Sequence, residues 1–344
     1  MGLRAAAVAL LMMLPACASA TPAQIGTATM TETPTRSAAT PARSPGPPDV
    51  RAEVARLVRK GAPGAVAYVR EGERVWQAAA GVAREGVPMR TDHRFRIASI
   101  TKTFTAALVL ELVREGRLAV TDRVESLLPG VISTRATVAD LLRHTSGIPD
   151  YLTAPGFTKA LWSGGHLRRW PPRELLAEAG PPGPPGTYAY SNTNYIVLGL
   201  ILEKVAGKPY RQLVRDRIGL RATELPAALL PEDLAHARDG ATKVNASIFW
   251  TAGGLVSTAA DVAAFYRSLF DGARPEGELM RKGEYGVFSE RLYCGLDVLT
   301  HSGLILGYGG AAMATEDGSR VAVVQVNASM PGDAIAAAGR LMCS

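Results

Sequence analysis

Phe95-Arg96-Ile97-Ala98-Ser99-Ile100-Thr101-Lys102-Thr103-Phe104 is the stretch on which the reading of this chain turns. Small residues lead into a helical pattern running from Thr101 to Glu115, with Phe104, Leu108 and Leu112 on one side. At the start of such a helix, residues three apart share a face, so Ser99 and Lys102 lie one turn from each other. Burial pushes an ammonium toward its neutral, basic form, and a helix N-terminus favours negative charge developing beside it. A serine nucleophile needs those ingredients. By itself Ser-x-x-Lys also describes a helix cap followed by a surface lysine, so company is needed.

Working outward, Tyr188-Ala189-Tyr190-Ser191-Asn192-Thr193-Asn194-Tyr195 follows the Pro/Gly loop Gly180 to Gly186 and precedes a helical pattern over Asn194 to Val205. Tyr190 and Asn192, two apart in irregular chain, face one cleft. A phenol relays a proton when neighbouring cations lower its pKa, and an Asn amide holds a substrate carbonyl. Tyr188 or Tyr195 is expected to pack beneath the helix. The third group is His301-Ser302-Gly303-Leu304, on a strand pattern over Leu299 to Tyr308. Gly303 permits close approach of backbone, His301 and Ser302 offer donors to a carboxylate, and the amide of Leu304 faces an oxyanion.

The ends of the chain read as strands and the middle as helices. Val50 to Lys60 has helical spacing, and Ala65 to Val69 with Arg74 to Ala80 reads as a hairpin about Glu71-Gly72-Glu73. Ala311 to Thr315 and Arg320 to Asn327 are strand-like about Glu316-Asp317-Gly318, and Ala334 to Met342 closes as a helix. Helical patterns cover Val138 to Leu142, Pro172 to Glu178, Tyr210 to Arg217 and Ala259 to Phe270. The expected class is α+β: an antiparallel sheet built from both termini and flanked by helices, with a mainly helical second part over roughly residues 120–250.

Met1 to Ala20 reads as an export signal, with Arg4 ahead of the apolar run Ala5 to Leu14. Ala18-Ser19-Ala20 suits a signal peptidase, while Leu14-Pro15-Ala16-Cys17 offers lipidation of Cys17 as the alternative. Residues 21–48 are nearly all Thr, Ala, Pro, Ser and Gly and read as a tether, leaving 49–344 as the catalytic domain. The chain has three cysteines, Cys17, Cys294 and Cys343. With Cys17 lipidated or removed, the other two remain as a pair for an oxidising compartment, against the alternative of two buried free thiols.

Ser99-x-x-Lys102, Tyr190-x-Asn192 and His301-Ser302-Gly303, in that order, resemble the three motifs of the penicillin-recognising serine enzymes. The Tyr and His variants resemble in particular the branch of class C β-lactamases and secreted Streptomyces D-alanyl-D-alanine carboxypeptidases. Leu141-Leu142-Arg143-His144-Thr145-Ser146-Gly147 is similar to that branch's structural LLxHTSG loop, and Thr251-Ala252-Gly253-Gly254-Leu255-Val256-Ser257 to its glycine-rich stretch. Cys294 and Cys343 match the carboxypeptidase type's disulfide positions.

The resemblance implies a β-lactamase/transpeptidase-like fold and an acyl-enzyme on Ser99. Lys102 and Tyr190 share the acid–base work, and Asn192 binds the substrate amide. The amides of Ser99 and Leu304 form the oxyanion hole, and His301 and Ser302 place the substrate carboxylate. The implied activity is D,D-carboxypeptidase, with transpeptidation as a second outcome, on peptidoglycan stem peptides by a penicillin-binding monomer without cofactor. β-Lactamase, esterase and D-amino-acid amidase are the rivals in chemistry, and a non-catalytic penicillin sensor is the rival in class. Two departures bear on substrate: Arg291 stands where a longer segment carries the carboxylate-holding Arg, and Trp250 is out of register with the branch's cleft Trp.

A net charge of +7 comes without a Lys/Arg run or interleaved aromatics, which argues against nucleic acid as a partner. No G-x-S-x-G elbow or H-E-x-x-H pattern occurs, which removes the conventional serine triad and zinc hydrolysis.

Overall fold

A computed structural model describes residues 48–227, 233–237 and 242–344. The export signal, Cys17 and the tether up to residue 47 lie outside the described residues. The first helix, Val50–Arg59, is capped by the Asp49 carboxylate, which accepts the Ala52 N–H at 2.9 Å.

Strands β1 (Gly64–Glu71), β2 (Arg74–Arg84) and β3 (Val87–Pro88) come from the N-terminal side. After the short pair β4 (Phe95–Arg96) and β5 (Val256–Ser257), strands β6 (Phe288–Arg291), β7 (Asp297–Ile305), β8 (Tyr308–Thr315) and β9 (Arg320–Val326) follow. The main sheet runs β3-β2-β1-β9-β8-β7-β6, antiparallel throughout. Its centre is the β1–β9 pairing, with Ala65 opposite Val326 and Glu71 opposite Arg320, so strands from both ends of the described residues meet in one sheet.

The period of two in these strands sorts side chains onto two faces. Ala65, Ala67, Val69, Ala322 and Val324 pack under the helices Val50–Arg59 and Pro331–Met342. Val66, Val321, Val323, Ala312 and Ala314 join the core on the other face, together with Phe104, Phe265 and Leu269. Burial on both faces explains why β9 carries the apolar run Val321 to Val324 instead of a simple alternation.

The strand pattern over Leu299 to Tyr308 runs through a turn, while that over Arg320 to Asn327 overruns β9 by one residue. The chain turns at Leu306-Gly307, where Gly307 takes φ +73°, and Tyr308 begins β8 opposite Ile305. The helix Glu276–Gly283 was not anticipated. Cys294, beside β7, and Cys343, after the last helix, are joined by a disulfide with Cα atoms 5.9 Å apart.

β4 and β5 pair with each other, Phe95 opposite Ser257 and Arg96 opposite Val256, and the described residues between them form helices and loops. Within that part, Thr101–Arg114 is buried nearly all round, not only along Phe104, Leu108 and Leu112. Its hydroxyls are satisfied internally: Thr103 Oγ1 donates to Gly286 O at 2.8 Å, and Thr105 Oγ1 to Thr251 O at 2.7 Å. A helix so enclosed is a rigid mount for whatever its first turn carries.

Candidate active site

Ser99 lies in a 3-10 turn, Ala98–Ile100, that runs directly into Thr101–Arg114. Ala98 holds φ +50°, a left-handed conformation that costs a non-glycine residue about 1 kcal/mol or more. The strain is held by neighbours on both sides. Ile97 N–H donates to Leu255 O at 3.1 Å, and Gly303 of β7 sits so close that a Cβ there would lie 2.4 Å from Ile97 O and 3.1 Å from Ala98 Cβ. Only glycine lets the third motif reach the nucleophile's turn.

Lys102, one turn on, is fully buried, and its Nζ donates in three directions. Asn192 Oδ1 and Ala252 O each accept at 2.7 Å, and Ser99 Oγ lies at 3.2 Å. Burial lowers its pKa from 10.5 to about 7, a shift that the Asp150 carboxylate partly opposes. Ala252 gives the glycine-rich stretch a role invisible in the sequence: its backbone carbonyl is a lysine acceptor.

The Tyr190 loop is held by the Leu141–Gly147 stretch. Ala189 N–H donates to His144 O at 2.8 Å, Gly186 N–H to Thr145 O at 2.7 Å, and Ser191 N–H to His144 Nδ1 at 3.1 Å. The His144 ring stacks on Tyr190 with centroids 4.3 Å apart. Burial, then Lys102 and His301, holds His144 well below the ordinary imidazole pKa, consistent with a neutral ring accepting at Nδ1. Tyr190 lies beside Ser99, and Lys102 Nζ lies 5.0 Å from its ring centroid. Its pKa is raised, burial outweighing the lowering effect of Ser99, whereas the sequence reading has neighbouring cations lower it. Tyr195 packs in the core, whereas Tyr188 is 58% exposed.

Asn192 turns its Oδ1 to Lys102 and donates through Nδ2 to Asp150 Oδ2 at 2.7 Å. The sequence reading missed Asp150; the only signal for it was its place three residues after the Leu141–Gly147 stretch.

His301 is buried, with Nδ1 2.6 Å from Ser302 O and the ring 5.3 Å from that of Phe288. Burial and then Lys102 push its pKa down to about 3. The imidazole is therefore neutral, and its ring proton, placed on Nδ1 by the Ser302 carbonyl, is not offered to a substrate carboxylate. Ser302 and Leu304 remain partly exposed on alternate positions of β7, while Gly303 is buried. Arg291 is elsewhere: it pairs with Asp297 at 3.0 Å, and β6–β7 register places it opposite that residue, four positions along β7 from His301. Trp250 is buried against Tyr210, ring centroids 6.1 Å apart. Thus Ser99, Lys102, Tyr190 and Asn192 form one connected cluster, with β7 at Gly303 against its edge. Arg291 does not belong to it.

The family model described as beta-lactamase matches residues 50–342. The chain belongs to the β-lactamase family of serine hydrolases. This β-lactamase-family chain is 32% identical over 216 residues to penicillin-binding protein 4 of Amycolatopsis lactamdurans, across 56% of its length and 55% of the relative's. A D-aminopeptidase of Cereibacter sphaeroides is 30% identical across 72% of the chain and 53% of the relative. The chain thus spans about half the length of these curated relatives. Among solved structures, a D-stereospecific amidohydrolase from Streptomyces sp. aligns with a TM-score of 0.76 and 33% identity, over 85% of this chain and 98% of that one.

Proposed function

We propose that this chain is an exported serine hydrolase that cleaves the amide bond on the carbonyl side of a D-amino acid through an acyl-enzyme on Ser99. The observation carrying the chemistry is the set of three partners around Lys102. Asn192 Oδ1 and Ala252 O accept only, so they engage two N–H bonds, and the third position of the amine faces Ser99 Oγ. In the neutral amine, which a pKa of about 7 makes available near neutrality, that third position is the lone pair.

Ser99 Oγ attacks the carbonyl carbon as its proton passes to Lys102 Nζ. The amides of Ser99 and Leu304 receive the oxyanion, and Tyr190, kept protonated by its raised pKa, gives a proton to the departing nitrogen. Lys102 then returns Tyr190's proton. Water attacks the ester by the reverse route and releases the D-acid. The extent of the likeness to the D-stereospecific amidohydrolase supports the D-configuration. The same reading takes residues 1–20 as the export signal, with Cys17 as the lipidation alternative.

D,D-carboxypeptidase activity is the second reading, favoured by the likeness to penicillin-binding protein 4 and by the Cys294–Cys343 bridge. It stands second because neither His301 nor Arg291 brings a positive charge to a terminal carboxylate. The test is incubation with D-alanine amide, with a tripeptide ending in D-Ala-D-Ala and with benzylpenicillin, reading products and covalent mass together. Release of ammonia from the amide, absent in Ser99→Ala, is expected. Cleavage of the tripeptide alone transfers the assignment to the carboxypeptidase, and no turnover or adduct with any of the three refutes both.

A further inference from the structure

We propose that Asp150 is a positioning residue: by accepting Asn192 Nδ2 it fixes which end of the Asn192 amide meets Lys102, and so aims the third position of Lys102 at Ser99. The proposal rests on the Ser99 reading above and adds to it a residue that none of the three motifs contains.

An Asn side chain has two ends of nearly equal shape and opposite hydrogen-bonding character. Between Lys102 Nζ and the Asp150 carboxylate only one orientation pairs every atom, with Oδ1 on the lysine at 2.7 Å and Nδ2 on Asp150 Oδ2 at 2.7 Å. The flipped amide sets oxygen against carboxylate at its outer end and, whenever Lys102 is charged, N–H against N–H at the other. Asp150 is itself anchored, since Oδ1 accepts the Leu152 N–H at 3.0 Å at the start of the turn Tyr151–Thr153. Asn192, like Ser99 and Tyr190, is partly exposed, and its second N–H is not needed for the pairing with Asp150.

Without Asp150 the flipped amide is no longer penalised at its outer end. Nδ2 then competes as a donor toward Lys102, whose neutral form accepts it, and the lone pair turns from Ser99 to Asn192. The carboxylate also acts through its charge. The groups around Lys102 are His144, His301, Tyr190 and Tyr195, and of these both histidines are held neutral by burial. Asp150 supplies the negative charge that opposes the burial of Lys102, so its loss moves the lysine's titration further down.

The experiment pairs Asp150→Asn with Asp150→Ala, each checked for folding by circular dichroism, with two readouts. One is the titration of Lys102 by NMR of Cε-labelled lysine, assigned by its disappearance in Lys102→Met. The other is the pH profile of acylation of Ser99 by benzylpenicillin. Asp150→Asn loses the charge and retains one acceptor oxygen, which reaches Asn192 only with the amide NH2 turned to the Leu152 N–H. It is expected to lower the Lys102 pKa by about one unit, move the corresponding limb of the profile down equally, and keep the maximal rate within about tenfold. Asp150→Ala loses the acceptor as well, and its maximal acylation rate is expected to fall about a hundredfold, the scale set by a misaimed group. Unchanged Lys102 titration with acylation within twofold of wild type in both variants overturns the proposal. Should Asp150→Ala fail to fold, Asp150→Asn decides alone by its titration. A wild type that is never acylated refutes the Ser99 reading, while the NMR titration still judges Asp150.

Discussion

Replacing Lys102 by Met is expected to stabilise the protein at pH 6 relative to pH 10, while abolishing acylation. Lys102 has a pKa of 10.5 in an exposed chain and about 7 in the fold. Each unit of that gap is worth about 1.4 kcal/mol, so burying the charged lysine costs on the order of 5 kcal/mol below pH 7. Between about pH 7 and 10.5 the unfolded chain holds one proton more than the folded one, so wild-type stability rises with pH there. Above 10.5 the penalty is gone. The Met variant lacks this term. It loses the hydrogen bonds to Asn192 and Ala252 at every pH, about 1–3 kcal/mol for each acceptor left buried without a donor. The difference between the two proteins should therefore drift by several kcal/mol in favour of wild type from pH 6 to pH 10. Urea unfolding of both at pH 6, 8 and 10 measures it, since titrating groups remote from Lys102 cancel and burial, the larger cause, keeps His144 and His301 low in both proteins. Parallel stability curves would falsify the claim that the buried lysine is neutral near physiological pH.

Gly303→Ala puts a Cβ 2.4 Å from Ile97 O, so β7 must move off the nucleophile's turn; acylation should fall about a hundredfold with little change in secondary structure. In His144→Phe the ring still covers Tyr190, but the buried Ser191 N–H loses its acceptor. The measurement is the split of kinetic constants: kcat is expected to drop about tenfold with KM nearly constant, and an unchanged kcat removes His144 from the placing of Tyr190. Reducing the Cys294–Cys343 bridge opens a loop with a sequence separation of 49. It should cost up to about 4 kcal/mol in urea unfolding while leaving acylation by penicillin intact, whereas equal midpoints with and without reductant would show that the bridge contributes nothing. Arg291→Ala should leave KM for a D-Ala-D-Ala tripeptide unchanged, because the guanidinium pairs with Asp297; a large rise in KM returns Arg291 to the substrate site.

The sequence by itself determined the sheet from both termini and the residues that carry the motifs. Strand pairing and helix formation follow from local periodicity, and Ser99 and Lys102 are bound to one face by being three apart in one helical segment. Sequence also exposed the need for glycine at 303, because close backbone approach tolerates no other residue. Tertiary structure alone decided the electrical state of the site. His301 reads from sequence as a donor titrating near neutrality, and burial beside Lys102 makes it a neutral ring with its proton spent on Ser302 O. Tyr190 reads as a phenol of lowered pKa, and its desolvation outweighs the lowering effect of Ser99, with Asp150 and Tyr188 raising it further. Nothing in the sequence assigns Asp150 or the Ala252 carbonyl to the lysine, since each reaches its cluster from a distant segment and one of them acts through its backbone. Motif spacing records which residues the chemistry uses, but a pKa depends on how much water the assembled fold removes and on which charges it brings close, and neither quantity is local in the chain.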